Sequence, residues 1–117
     1  MSSESSAVSG VAGRYAAALF ELAEEQKKLD EVAADMVIIR SLLAESPELC
    51  RLVASPVLGR DAQARALLAV LEKAGVSALT LNFAGVVARN RRLSVLDGMC
   101  VGYRQLLANA RGEMTAK

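Results

Sequence analysis

The sequence predicts an all-α domain, a compact six-helix bundle, on three observations. Hydrophobic residues fill 53% of its 117 positions while aromatics fill 3%. A chain rich in Ala, Leu and Val favours close-packed helices over a sheet, which wants more aromatic and β-branched side chains. Apolar residues recur at steps of three and four along most of the chain, the spacing of one face of a helix. Helix-start and helix-stop residues interrupt that pattern at short intervals, among them Ser46-Pro47, Ser55-Pro56, Gly75, Ser77 and Gly112. The length suits a single core and is too short for two of ordinary size.

Residues 1–9 hold an acid, no base and no apolar core, so they read as a disordered lead and not as a signal or transit peptide. The first helix is expected from Ser9 or Gly10 to Lys27. Wound at about 100° per residue, its apolar side chains, from Val11 through Tyr15, Ala18 and Leu19 to Leu22 and Ala23, cover an arc of about 200°. A helix lying on one core needs little more than about 100°. The excess means that this helix buries itself against two things, and its alanines let a neighbour approach closely.

The second helix, Leu29 to Ala44, directs Leu29, Val32, Met36, Ile39 and Leu43 inward and places Asp30, Glu31, Asp35 and Arg40 on the opposite, solvated face. Ser46 caps a short third helix with Pro47 at its first position. Ser55-Pro56 ends it, because proline disfavours helical geometry in the residue before it. A fourth helix from Asp61 to Lys73 turns Leu67, Val70, Leu71 and Ala74 inward and stops on Gly75.

Ser77 caps the fifth helix, which lies in a run of fifteen uncharged positions from Ala74 to Ala88 and breaks at Asn90-Arg91-Arg92. Leu79, Leu81, Phe83, Ala84, Val86, Val87 and Ala88 cover most of its circumference, leaving a narrow sector of Ala78, Asn82, Gly85 and Arg89. A domain this small can fully surround very little, so part of this helix is expected to be a docking surface. As a membrane span the run is too short, reaching about 22 Å against a hydrocarbon core of roughly 30 Å. In the sixth helix Leu93, Leu96, Cys100, Tyr103, Leu107 and Ala110 step three and four inward, while Asp97, Arg104 and Arg111 lie outward. Residues 113–117 look like the beginning of a linker.

Little here points to chemistry. The absence of His removes the commonest general base and the commonest metal ligand. Cys50 and Cys100 occupy apolar positions of helical patterns, as two reduced, buried thiols would. The carboxylates, Glu24, Glu25, Asp30, Glu31 and Asp35 among them, fall on solvated faces, and an active site would need one in an apolar pocket. No phosphate-binding or dinucleotide-binding glycine motif and no metal-ligand cluster occurs, so no catalytic residue, cofactor or metal is expected. Net charge is +1, with residues 1–60 acidic and residues 61–117 basic. Arg89, Arg91 and Arg92 suit the negative end of the fifth helix. Their alternative use, contact with nucleic acid, would want a wider basic stripe and more aromatics.

Val11-Ala12-Gly13-Arg14-Tyr15-Ala16-Ala17-Ala18-Leu19-Phe20 resembles the pattern V-A-x-x-Y-A-x-A-x-F, and Ala88-Arg89-Asn90-Arg91-Arg92-Leu93 resembles x-E-N-x-R-L. Both belong to the delta subunit family of bacterial F-type ATP synthases, the counterpart of the mitochondrial oligomycin sensitivity-conferring protein. The resemblance spans about residues 8–113. It implies a non-catalytic stator connector: a six-helix N-terminal domain over residues 10–112 whose first and fifth helices form a groove for the N-terminal helix of an alpha subunit. These are the helices with the widest apolar arcs.

Carried over by motif position, the groove residues are Tyr15, Ala18 and Leu22 with Asn82, Val86 and Asn90, joined by Leu79 and Phe83 on the same side. The bland alternative for each is core packing, which suits Tyr15 and Phe83 best, and Ala18 discriminates between the two. Arg89 stands where the family has an acid. The resemblance implies that the peripheral stalk is met only through a C-terminal domain, expected to lie beyond the linker that residues 113–117 begin. A bacterial cytoplasmic face, peripheral to the membrane, is favoured over a mitochondrial matrix by the lead's lack of transit character and by Arg outnumbering Lys 10 to 4. The alternatives are a helical nucleic-acid-binding module and an adaptor that closes the same groove on itself as a homodimer.

Overall fold

The computed structural model describes residues 10–55 and 57–112; the expected lead, Pro56 and the expected linker start lie outside the described residues. Six helices follow the predicted order: α1 Gly10–Glu25, α2 Leu29–Glu45, α3 Pro47–Ala54, α4 Arg60–Lys73, α5 Ala78–Arg89 and α6 Leu96–Ala110. A 3₁₀ turn at Leu93–Val95 leads into α6, and no strand forms among the described residues.

The ends of the helices show how local chemistry sets these bounds. Ser46 Oγ accepts the Leu49 backbone N–H at 3.1 Å with Pro47 at the first helical position, a cap whose loss costs about 1 kcal/mol. Ser55 is extended (φ −70°, ψ 124°), the geometry that a following proline imposes. Helices α1, α4 and α5 finish alike. Lys28, Val76 and Arg92 N–H groups bond back to the carbonyls of Ala23, Leu71 and Val87. The residue before each of these, Lys27, Gly75 or Arg91, takes a positive φ of 60°, 93° and 60°. That pair of features satisfies the last carbonyls of a helix while reversing the chain.

The core is built from α1, α2, α4, α5 and α6 with Leu49 from α3, and Leu19, Val32, Met36, Ile39, Leu67, Leu71, Val87, Met99 and Tyr103 are fully enclosed. Helix α6 packs most extensively on α1 and then on α2, while α4 and α5 form a second close pair. The buried line of α1 is Ala12, Ala16, Leu19 and Ala23, small enough for α6 to come near. Tyr103 donates its hydroxyl hydrogen to the Leu29 carbonyl at 2.7 Å and tilts its ring against Phe20. Burial raises its phenol to about 12 because the anion would lose its hydration. At the surface, Arg40 pairs with Asp97 at 2.8 Å and Arg111 with Asp30 at 2.7 Å, so both ends of α6 are tied to α2.

Five expectations are corrected. Asp35 is buried, not solvated, and Gly85 is buried within the expected polar or small sector, covered by Arg89 and by Leu68 of α4. Ala74 and Ala110 are exposed, because each stands at the last turn of its helix, beyond its neighbours. Cys50 is exposed as well, its Sγ donating to the Leu43 carbonyl at 2.9 Å. Cys100 is buried as expected, and burial pushes its thiol up to about 12, which keeps it in the unreactive form.

Candidate functional site

Helices α1 and α5 each have a close partner, α6 and α4, but touch one another only sparingly. Tyr15 meets Phe83 and Asn90, while Leu22 shares a depression with Leu79, so the two run antiparallel with an open furrow between them. Seven of the eight residues the sequence singled out stand along that furrow, among other side chains. Leu22, Leu79, Asn82, Phe83 and Val86 line one depression of about 410 Å³, together with Gln26, Lys28 and Glu31. Tyr15 and Ala18 line a second, with Val11, Arg14 and Arg92.

The two depressions meet at the Tyr15 and Phe83 rings, edge to face with centroids 6.1 Å apart. Asn90 lines neither, but its Nδ2 donates to the Tyr15 hydroxyl at 3.0 Å and so ties the end of α5 to the start of α1. None of the eight residues is buried. Tyr15, Leu79 and Phe83 are half-covered, and Leu22 and Val86 remain 37% and 48% accessible. The surplus apolar arc of α1 and α5 is therefore left in the open, as a seam and not as scattered single residues.

The upper end of α5 is held by a residue that sequence reasoning placed on the wrong face. Asp35 of α2 is 3% exposed. Its carboxylate accepts the Ser77 backbone N–H at 3.1 Å, the Ser77 hydroxyl, and the Thr80 hydroxyl at 2.6 Å. Ser77 stands at the N-cap position of α5, yet its side chain caps nothing in its own helix and donates to Asp35 instead. The negative charge lies where the helix dipole favours it. The signal was present in the spacing: Asp35 stands three residues after Val32 and four before Ile39, on the stripe that faces the core.

The arginine cluster is not assembled for a polyanion. Arg89 lies 3.8 Å from Asp61, and Arg91 donates to the Leu58 carbonyl at 2.9 Å, so two of the three reach toward α4 and the loop before it. Only Arg92 faces the furrow, opposite Arg14. Among the described residues no group of acidic or cysteine side chains could hold a metal, and no helix is long and apolar enough to cross a membrane.

Fold and site together define a class, a small helical bundle with one closed seam and one open apolar furrow between adjacent helices. Residues 11–117 match the family model of the ATP synthase delta (OSCP) subunit. The chain is 53% identical over 116 residues to the ATP synthase subunit delta of Rhodopseudomonas palustris (strain HaA2), which covers 99% of this chain and 62% of that one. It is 53% identical over 117 residues to the same subunit of Rhodospirillum centenum, covering 100% and 63%. A chain in the cryo-EM structure of the Polytomella F-ATP synthase, from a refinement focussed on the F1 head and rotor, superimposes with a TM-score of 0.79 at 25% identity, over 88% of this chain and 90% of that one. The chain belongs to the ATP synthase delta (OSCP) subunit family, and it spans somewhat over three-fifths of the length of these bacterial relatives.

Proposed function

We propose that this chain is the head-binding part of a stator connector in an F-type ATP synthase, and that the furrow between α1 and α5 takes the N-terminal helix of an alpha subunit. In a rotary enzyme driven by proton flow the catalytic head must be held against torque. That task needs a firm joint and no bond-making. A helix laid in an apolar furrow provides it through many small packing terms and a desolvated seam. The remaining length of the relatives is where contact with the peripheral stalk belongs, and the assembly lies at the cytoplasmic side of a bacterial inner membrane, with no helix among the described residues long and apolar enough to span it.

The single observation that supports the reading is that seven of the eight residues assigned to the groove line two adjoining open depressions between α1 and α5, that the eighth, Asn90, bonds to Tyr15 among them, and that none is sealed in the monomer. A closed core would have hidden Leu22 and Val86. The apolar content of the furrow and its two ring edges suit a helix with leucine-sized side chains at every third and fourth position.

Calorimetric titration of the 117-residue chain with a synthetic peptide of the alpha-subunit N-terminal segment tests this. Saturable one-to-one binding is expected, and Ala18→Asp should weaken it by about tenfold, because a carboxylate is then desolvated beneath the partner helix, a cost that Arg14 and Arg92 in the same depression offset only in part. Ala18 is exposed in the free chain, so the variant keeps its melting temperature. Unchanged affinity in Ala18→Asp would remove the furrow as the site, and concentration-dependent size on gel filtration would point to a second copy as its occupant.

A further inference from the structure

We propose that Asp35 is a positioning residue for the furrow: from α2 it holds the first turn of α5, and thereby one wall of the groove, in the open geometry that receives the partner helix. The inference rests on the reading of the furrow given above. Four residues, Ala74 to Ser77, connect α4 to α5, and a linker that ends in a serine with no cap in its own helix does not by itself aim the helix that follows. Asp35 supplies that aim. Its two oxygens hold a backbone N–H and two hydroxyls from positions 77 and 80, forty-two and forty-five residues away in sequence. Ser77 and Leu79 line the furrow directly beside these bonds. A carboxylate that accepts several hydrogen bonds at a helix N-terminus is a stronger tether than a hydroxyl cap. It acts on the side of α5 turned away from the partner, since Thr80 is 1% exposed. Asp35 itself does not line the furrow and is 3% exposed, so it affects affinity only through the placement of Ser77 and, beyond it, of Leu79, Asn82 and Phe83.

The 117-residue chain tests this with three variants. Asp35→Ala removes the tether, Asp35→Asn keeps one accepting oxygen without the charge, and Leu49→Ala makes a cavity under α3, away from the furrow, as a control for lost stability. Amide exchange and the ring-proton shifts of Tyr15 and Phe83 read the position of α5 with no partner present, and titration with the alpha-subunit N-terminal peptide, well below the melting temperature, reads the consequence. In Asp35→Ala the first two turns of α5 should exchange about tenfold faster relative to α6, and the peptide Kd should rise about tenfold, with Asn restoring part of both. Leu49→Ala should lower the melting temperature at least as much yet leave Kd within about twofold. Equal losses of affinity in Asp35→Ala and Leu49→Ala, or unshifted Tyr15 and Phe83 signals in Asp35→Ala, overturn the proposal. Should the unaltered chain fail to bind the peptide, the reading of the furrow falls, and the exchange and shift data alone decide whether Asp35 sets the wall.

Discussion

Helix α1 treats two of its neighbours, α6 and α5, differently. Toward α6 and the core it presents Ala12, Ala16, Leu19 and Ala23, none more than 7% exposed. Toward α5 it presents Tyr15, Ala18 and Leu22, none of them buried. Both rows are apolar, and Ala16 and Ala18 are the same residue two positions apart. Composition does not separate them. What does is the partner helix: α6 approaches closely and is pinned at both ends by the Arg40 and Arg111 ion pairs to α2. Helix α5 is drawn to α4 and held from α2 by Asp35, so it leaves a furrow beside α1. A closed seam gives stability, while an open one of similar composition leaves apolar area for a partner to cover.

The largest test of this contrast is Ala16→Asp set beside Ala18→Asp. A carboxylate at position 16 enters the closed seam and should cost about 3 kcal/mol or more, enough to unfold much of a small domain. The same change at position 18 should move stability by no more than about 0.5 kcal/mol. Thermal melts followed by circular dichroism compare the two, and similar losses would mean that the two rows are equally enclosed.

Alkaline titration gives a smaller effect. Burial raises the Tyr103 phenol from 10.0 and the Cys100 thiol from 9.0, each to about 12. Both groups are held neutral in the folded state, so the stability they contribute is complete below the unfolded pKa. It is lost as pH rises from about 9 through about 12. The melting temperature should fall over that window and flatten below it. Tyr103→Phe should soften the fall and, by leaving the Leu29 carbonyl without its donor, cost about 1 kcal/mol at neutral pH.

On the open side the corresponding change is Tyr15→Phe, which removes the hydroxyl that receives Asn90. Because that bond lies at the exposed end of the furrow, the loss should stay under about 0.5 kcal/mol by chemical denaturation. A larger loss would show that Tyr15 is core after all.

Much of the fold was legible because its signals are local. Ser46-Pro47, Gly75 and the step-of-three-and-four stripes act within one or two helical turns, and five of the six helices start and stop within about two residues of where those signals place them, while α6 begins three residues after Leu93, beyond a 3₁₀ turn. The residues along the furrow were legible for a different reason: motif likeness named six of them, helical angle added Leu79 and Phe83, and arc widths on α1 and α5 showed independently that these helices had apolar surface to spare. Asp35 and Gly85 were misplaced because a helical pattern yields a face and not a neighbour. A carboxylate on the core stripe reads as an intruder until Ser77 and Thr80 arrive from forty residues away, and a glycine among polar residues reads as solvent-facing until Leu68 packs against it.

By itself, then, the sequence determined the all-α class, the helix bounds and the surplus of apolar surface on two helices, since these depend on bonds and spacings within each segment. Only the tertiary structure decided which part of that surplus stays open, that Cys50 lies outside and Cys100 inside, and that Asp35 works as a tether. Those outcomes depend on how short loops and inter-helix bonds divide a limited interior among six helices, a competition that no single segment encodes.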